Sequence, residues 1–502
     1  MVLITLALVA LLVTSLWLYS KHRLSYWAKR GILSPPTLPL LGNFVDIVMG
    51  KPGRWTFDEK VYRNYTKEGL GGAYVLLSPV LYISDPEMIK QILVKDFDHF
   101  SDRQTFTSLH KNDRTLNESL FNKNGEKWKR LRNLMTPAFT SGKLKNMFHL
   151  VTEKADALKA FCLKEATKNS YINVKKACGR FTIDTIASCA FGIECNSFED
   201  EDAVFPAKVP PFFAAGPLRV LKFMVVAAFP FITGFIDLGV FPEEKFFFQQ
   251  VAEETIAARR RGAKRGDFLD LLLEAQASEK NFPDDQTKAK ILDDATIISQ
   301  SILFIVVGYD TTATTIAIAS YLSSKNPEAQ QRLRQELQEI VRKEGTITYQ
   351  GVMDAKYLDA CIMETLRLYP PAPNLERVCS KDYKVPGTNI TVRKGDIIEV
   401  PLWSIHRDEK YWPEPEVYNP DRFMPENKAD IEPCTHMPFG GGPRNCIAMR
   451  FALLEAKVAL STLLLTFDMK TAPGFHDLDL ANSSFLIMPT SVNLVLEPLT
   501  ED

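Results

Sequence analysis

The stretch Phe439-Gly440-Gly441-Gly442-Pro443-Arg444-Asn445-Cys446-Ile447-Ala448 holds the residues of this 502-residue chain best suited to chemistry. A cysteine needs help to stay a thiolate at neutral pH, and three neighbours offer it. A glycine-rich loop can aim backbone N–H groups at the sulfur, Arg444 stands two residues before it, and an apolar helix over 448–466 follows. The plainer alternative is a tight turn around a buried cysteine. No cysteine or histidine lies nearby at zinc-ligand spacing, so zinc fits poorly.

The elements that must position this loop are mostly helical. Apolar residues recur at helical spacing over 125–136, 143–165, 174–191, 243–262, 284–324, 327–343 and 353–369. β-formers cluster at 73–84 around Ser78-Pro79, which predicts a hairpin. Short strands are predicted over 383–402 around Pro386-Gly387, and a last hairpin over 485–497. No repeat or low-complexity tract is present. The pattern predicts one large, mostly α domain with a small β portion. Cys162, Cys178, Cys189, Cys195, Cys361, Cys379 and Cys434 follow no framework and read as small buried residues in a reducing compartment. Sixty basic residues nearly cancel sixty-one acidic ones, so charge gives no reason to expect nucleic acid. The basic run Arg259–Arg265 reads as a solvated helix end or loop.

Val2 to Tyr19 is an almost unbroken apolar run without charge. Eighteen helical residues rise about 27 Å, enough for a thin bilayer. Trp17 and Tyr19 suit an interfacial aromatic belt. Lys21, Arg23, Lys29 and Arg30 lie only on the C-terminal side, which places the body in the cytoplasm. No basic segment precedes the run and no small-x-small site follows it, so it reads as a signal anchor. The expected division is an anchor over 1–20, a basic and proline-rich hinge over 21–43, and a catalytic domain over 44–502. Sequons at Asn64, Asn117, Asn389 and Asn482 are then chance matches. Residues 203–248 carry eleven phenylalanines and read either as core or as a pocket roof that dips into the membrane surface.

The cysteine loop resembles the haem-binding loop of the cytochrome P-450 superfamily, F-x-x-G-x-R-x-C-x-G, with Ala448 at the final glycine. The resemblance implies that Cys446 is the axial ligand of the iron of haem b, a thiolate that favours O–O cleavage. Glu364-Thr365-Leu366-Arg367 resembles the family's E-x-x-R, whose two charges share one helix face. Pro420-Asp421-Arg422-Phe423 is similar to its P-E-R-F stretch, so Glu364, Arg367 and Arg422 are expected to form a structural charge cluster. Val307-Gly308-Tyr309-Asp310-Thr311-Thr312 resembles the [A/G]-G-x-[D/E]-T motif of a long helix across the distal haem face, here 294–324. Thr311 and Asp310 would there deliver protons through water. Val307 departs from the usual alanine or glycine and is expected to narrow that space. Trp128 and Arg132 resemble the family's W-x-x-x-R, and with Arg103, Arg377, Phe439 and Arg444 they are expected to bind haem and its propionates.

The resemblance covers essentially the whole chain. Thr136–Lys145, Leu375–Cys379 and Ile405–Asp408 look like the animal microsomal branch that handles xenobiotics and steroids, most like its arthropod detoxification members. It implies a P-450 fold and a monooxygenase on the cytoplasmic face of the endoplasmic reticulum. Electrons would come from a separate NADPH–cytochrome P-450 reductase, with a b-type cytochrome as a further donor, since no G-x-G-x-x-G or flavin domain is present. Lys129, Arg130, Lys143, Lys145 and Arg450 are the expected docking cations. The apolar substrate would enter from the bilayer. Its expected pocket draws on the 104–121 loop, residues 203–248, Phe304, Ile305, Gly308, Ala372, Leu375 and Phe485. Two other readings stand: an oxygen-independent haem-thiolate isomerase or dehydratase, and a non-enzymatic haem carrier or sensor.

Overall fold

The computed structural model describes residues 1–49, 53–104, 114–200, 204–212, 218, 222, 225, 244–280, 291–480 and 486–500. The longer helices are α1 (Val2–Leu24), α2 (Arg54–Tyr65), α3 (Gly125–Met135), α4 (Ser141–Ala166), α5 (Val174–Ile186), α6 (Glu244–Arg260), α7 (Phe268–Lys280), α8 (Asp294–Lys325), α9 (Pro327–Glu344), α10 (Lys356–Leu368) and α11 (Met449–Thr466). The strands are β1 (Leu70–Val75), β2 (Ser78–Ile83), β3 (Ile172–Asn173), β4 (Leu375–Val378), β5 (Tyr383–Lys384), β6 (Thr391–Val392), β7 (Ile397–Val400), β8 (Phe467–Thr471) and β9 (Asn493–Pro498). They make sheets ordered β1-β2-β7-β4, β3-β9-β8 and β5-β6, with β2 and β7 parallel.

α8 runs through the middle of the helical core, and local chemistry sets its ends. The Asp293 carboxylate accepts from the Thr296 N–H at 2.9 Å, capping the first turn. Asn326-Pro327 stops it, and Pro327 takes the first position of α9, where a missing N–H costs nothing. α9 ends at Gly345, whose φ of 78° is left-handed. α8 is apolar enough to cross a membrane, yet 61% of its most apolar window is buried within the body, so it is a core helix. Phe181 of α5, Ile316 of α8, Leu337 of α9, Leu366 of α10 and Leu460 of α11 meet in one cluster. Each such burial contributes about 1.5–3 kcal/mol. Gln330 of α9 pairs with both backbone groups of Met469, at 2.8 and 3.0 Å, and so holds β8 to the helices.

The sequence pattern and the structure part in several places. α1 continues to Leu24, and the chain after it is docked on the first sheet rather than merely extended. The 353–369 segment breaks at Ala355 into a short turn capped by Thr348 and then α10. The expected 485–497 hairpin is one strand, β9, which pairs with β8 and β3 because its apolar face completes the helical core. α2, α7, β4 and a π-helical turn at Gln91–Lys95 are additional elements. Most of 203–248, the 105–113 loop, residues 284–290 and Phe485 lie outside the described residues.

A buried ion pair ties the core to the loops. Arg367 meets Glu364 through two hydrogen bonds, 2.7 and 2.8 Å, and neither side chain is exposed. Asn419 donates its backbone N–H to Glu364 at 2.9 Å, and Arg422 adds its charge at 3.5 Å. Arg367→Leu or Glu364→Leu alone is expected to cost about 3–5 kcal/mol, because the partner is left charged and buried. The double variant should recover part of that loss. Urea denaturation followed by far-ultraviolet circular dichroism measures it, and singles as stable as the parent would sink the claim.

Candidate active site

The cysteine loop is shaped by two left-handed glycines. Gly440 and Gly442 have φ of 79° and 69°. A Cβ on Gly442 would sit 1.8 Å from the Leu93 carbonyl oxygen, so the loop passes flush against the π-helical turn. The Cys446 N–H donates to the Phe439 carbonyl at 2.8 Å and closes the loop. Ala448 is the N-cap of α11 with φ −93°, a conformation that does not require glycine.

Three arginines reach this loop from other parts of the chain, and a fourth, Arg444, belongs to it. Arg132 of α3 donates to the Asn445 carbonyl at 2.8 Å and to its side-chain oxygen at 2.9 Å. Arg103 donates to the Arg444 carbonyl at 3.1 Å. Arg444 stacks on buried Trp128, 4.5 Å from its centroid, and donates to the Lys123 carbonyl. Arg377 of β4 donates to the Gly441 carbonyl at 3.3 Å. Burial, and then Arg103 and Arg444 nearby, hold Arg377 well below the usual guanidinium range. Burial, with Arg103 and Arg132, brings Arg444 down to about 9.

Cys446 departs from expectation in direction. Burial pushes its thiol up, and the Ala448 N–H, Arg132 and Arg103 only partly offset this. Arg444, two residues away in sequence, points at Trp128 instead and does not supply the balancing charge. Desolvation thus outweighs the local dipoles at this sulfur.

Across α8 the motif residues face two ways. Val307 is 46% exposed although the helix is otherwise core. Thr311, one turn on, is turned the same way, and its hydroxyl donates to the Val307 carbonyl at 2.8 Å. Asp310 is buried on another side, ion-paired with Lys175 of α5. Gly308 also faces α5: a Cβ there would meet Ile186 at 2.8 Å, so the glycine serves helix packing. Of Phe304 and Ile305, expected at the pocket wall, Phe304 is partly buried against the core and Ile305 is turned into it. Phe304 packs on Phe268 and Phe139 at 4.2 and 5.7 Å, and Ile305 is fully buried. Helical spacing keeps Phe304 on the face of Val307 and Thr311, with Leu303 beside it. Leu375 lies beside the loop, 3.6 Å from where a Gly440 Cβ would be, and Ala372 is half-buried just before it.

The residues fit haem. Nε of Arg377 and Nε and Nη1 of Arg444 are buried without a hydrogen-bond acceptor among the described residues. A planar group with two carboxylates and an iron supplies acceptors for those nitrogens and a metal for the sulfur. Sequence reasoning missed Asn445 as the seat of Arg132 and Lys175 as the partner of Asp310, while His406 reads from the sequence as a structural histidine. His406 joins the Arg367 carbonyl at 3.1 Å to the Met437 N–H at 3.2 Å, just before the loop. Asn445 lay within the motif; nothing in the sequence marked Lys175.

The cytochrome P450 family model matches residues 33–496. Among the most similar relatives is cytochrome P450 6k1 of Blattella germanica, 36% identical over 97% of this chain and 95% of the relative. Cytochrome P450 3A31 of Mesocricetus auratus is 36% identical over 93% and 91%. Lithocholate 6-beta-hydroxylase of Mesocricetus auratus is 35% identical over 93% and 91%.

The two left-handed glycines give a paired test. Gly442→Ala meets both the φ strain and the Leu93 carbonyl, and is expected to destroy haem retention. Gly440→Ala meets only the strain, about 1–3 kcal/mol, and is expected to keep most of it. The haem-to-protein absorbance ratio of purified variants reads this, and equal ratios would refute the role given to Leu93.

Proposed function

The chain belongs to the cytochrome P450 family, and from that premise we propose how this monooxygenase works. It inserts one oxygen atom of O₂ into an apolar molecule of xenobiotic or steroid size, with NADPH electrons from a separate reductase. The convergence of three guanidinium groups on the Cys446 loop, with the Arg444 guanidinium arising from the loop itself, carries this reading.

Haem b, when bound, supplies an iron that activates O₂ with electrons delivered one at a time. Cys446 would hold the iron through its sulfur. Arg103, Arg132, Arg377 and Arg444 would bind the propionates, with Trp128 and Phe439 packing around them. Thr311 holds a proton at its hydroxyl. Asp310 brings the next proton from the α5 side, which requires its carboxylate to exchange Lys175 for water. Val307 narrows the space beside Thr311 and favours substrates that present an edge. The relative named for 6β-hydroxylation of lithocholate supports a substrate of steroid size.

The apolar helix α1 anchors the protein in the endoplasmic reticulum membrane with the body on the cytoplasmic face. Residues 1–20 form the anchor, 21–43 a basic and proline-rich connection docked on the first sheet, and 44–502 the catalytic domain. Lys129, Lys143, Lys145 and Arg450 are exposed on or beside the elements that carry the cysteine loop, and offer an acidic reductase or a b-type cytochrome its docking face. Arg130 is partly engaged with Glu279 at 3.8 Å and contributes less.

Two measurements test this. The reduced, carbon-monoxide-treated protein is expected to show a strongly red-shifted Soret band that Cys446→Ser abolishes; a band at the histidine-ligated position in the parent would refute thiolate ligation. Thr311→Ala is expected to lower product formed per NADPH oxidised by about tenfold, with hydrogen peroxide in its place, while Thr311→Ser retains coupling. Unchanged coupling in Thr311→Ala would remove the hydroxyl from the proton path.

A further inference from the structure

Where the membrane helix meets the body, the junction is rigid. Trp27 is fully buried, its indole N–H donates to the Ala73 carbonyl at 2.9 Å, and its backbone N–H donates to the Tyr74 hydroxyl at 2.9 Å. Its ring fills the space above Gly72, where a Cβ would come within 2.5 Å. Tyr26 donates to Asp396 at 2.5 Å, which occupies that carboxylate. The surface just beyond therefore keeps a fixed place relative to α1.

That surface is a groove of about 650 Å³ between residues 30–33, the 67–68 turn and the 384–390 turn of the β5-β6 hairpin. Its lining holds three cations, Arg30, Lys67 and Lys384, against one carboxylate, Glu68. Lys67 and Lys384 are exposed. The Arg30 guanidinium is held over the Tyr26 ring at 3.5 Å and donates to the Tyr26 carbonyl at 3.1 Å. Leu33 in the lining, and Leu38 and Leu40 further along the same segment, are 49%, 49% and 41% exposed. Cations in a recess beside exposed leucines, a few residues past a membrane helix, match an amphiphile with an anionic head.

We propose that this groove is a binding site for one anionic glycerophospholipid, its phosphate held by Arg30, Lys67 and Lys384 and its chains directed towards the exposed leucines. The site fixes the tilt of the catalytic body on the membrane. This rests on the reading of α1 as a membrane anchor.

The test uses the full, haem-loaded chain. Native mass spectrometry from detergent micelles compares retention of phosphatidylserine and phosphatidylcholine. The chain is expected to retain one phosphatidylserine in preference. Each lysine at a membrane surface is worth about fivefold in affinity, so K67E/K384E should weaken retention about twentyfold or more at unchanged haem content. Equal retention of the two lipids, or a double variant that binds like the parent, overturns the proposal. Displacement of the lipid by millimolar glycerol 3-phosphate also overturns it, since the site would then take a soluble phosphate. Alkaline extraction of vesicles holding the same protein separates the two readings. A chain that washes off overturns the anchor and the site together; one that stays without phosphatidylserine preference overturns the site alone.

Discussion

A carboxylate and a guanidinium without access to water must be matched on every side, and the Glu364–Arg367 pair imposes that demand on three distant segments. Glu364 takes the Asn419 N–H, and Arg367 takes the His406 carbonyl at 2.7 Å. His406, neutral because burial holds it well below the usual imidazole range, carries the link on to Met437. The Met437 carbonyl accepts from Gly440 at 2.9 Å, where the cysteine loop begins. A helix buried in the core thus sets the position of a loop some eighty residues later through a short run of hydrogen bonds.

That relation explains what could be read from the chain. The cysteine loop and the Glu364–Arg367 pair were legible through their resemblance to the family's motifs, since i,i+3 spacing alone is common in helices. The long helix was legible from its apolar spacing. What could not be read was direction. Arg444 is near Cys446 in sequence but packs on Trp128, since a loop with two left-handed residues turns neighbouring side chains apart. Ile305 and Val307 are both apolar, and only the packing around α8 decides that the first faces inward and the second outward. β9 looked like half of a hairpin because strand pairing between distant segments leaves no local mark.

The electrostatics of the loop make sense as one arrangement. Buried arginines in each other's field and a thiol pushed up by burial are each unfavourable in isolation. Both are relieved by a ligand that brings carboxylates to the arginines and a metal to the sulfur. The binding energy of that ligand is then coupled to the stability of the loop itself. Arg132 and Arg103 meanwhile hold loop carbonyls, so these cations shape the backbone of the loop.

α8 has to satisfy two surroundings at once. On the side of α5 it needs close approach and charge balance, met by Gly308 against Ile186 and by Asp310 with Lys175. On the other side Val307 is half-exposed and shares its face with Thr311. Enlarging residue 308 would push α8 away from α5 and carry Thr311 with it, whereas residue 307 points away from that contact. The bulk of Val307 is therefore accommodated without displacing α8 from α5.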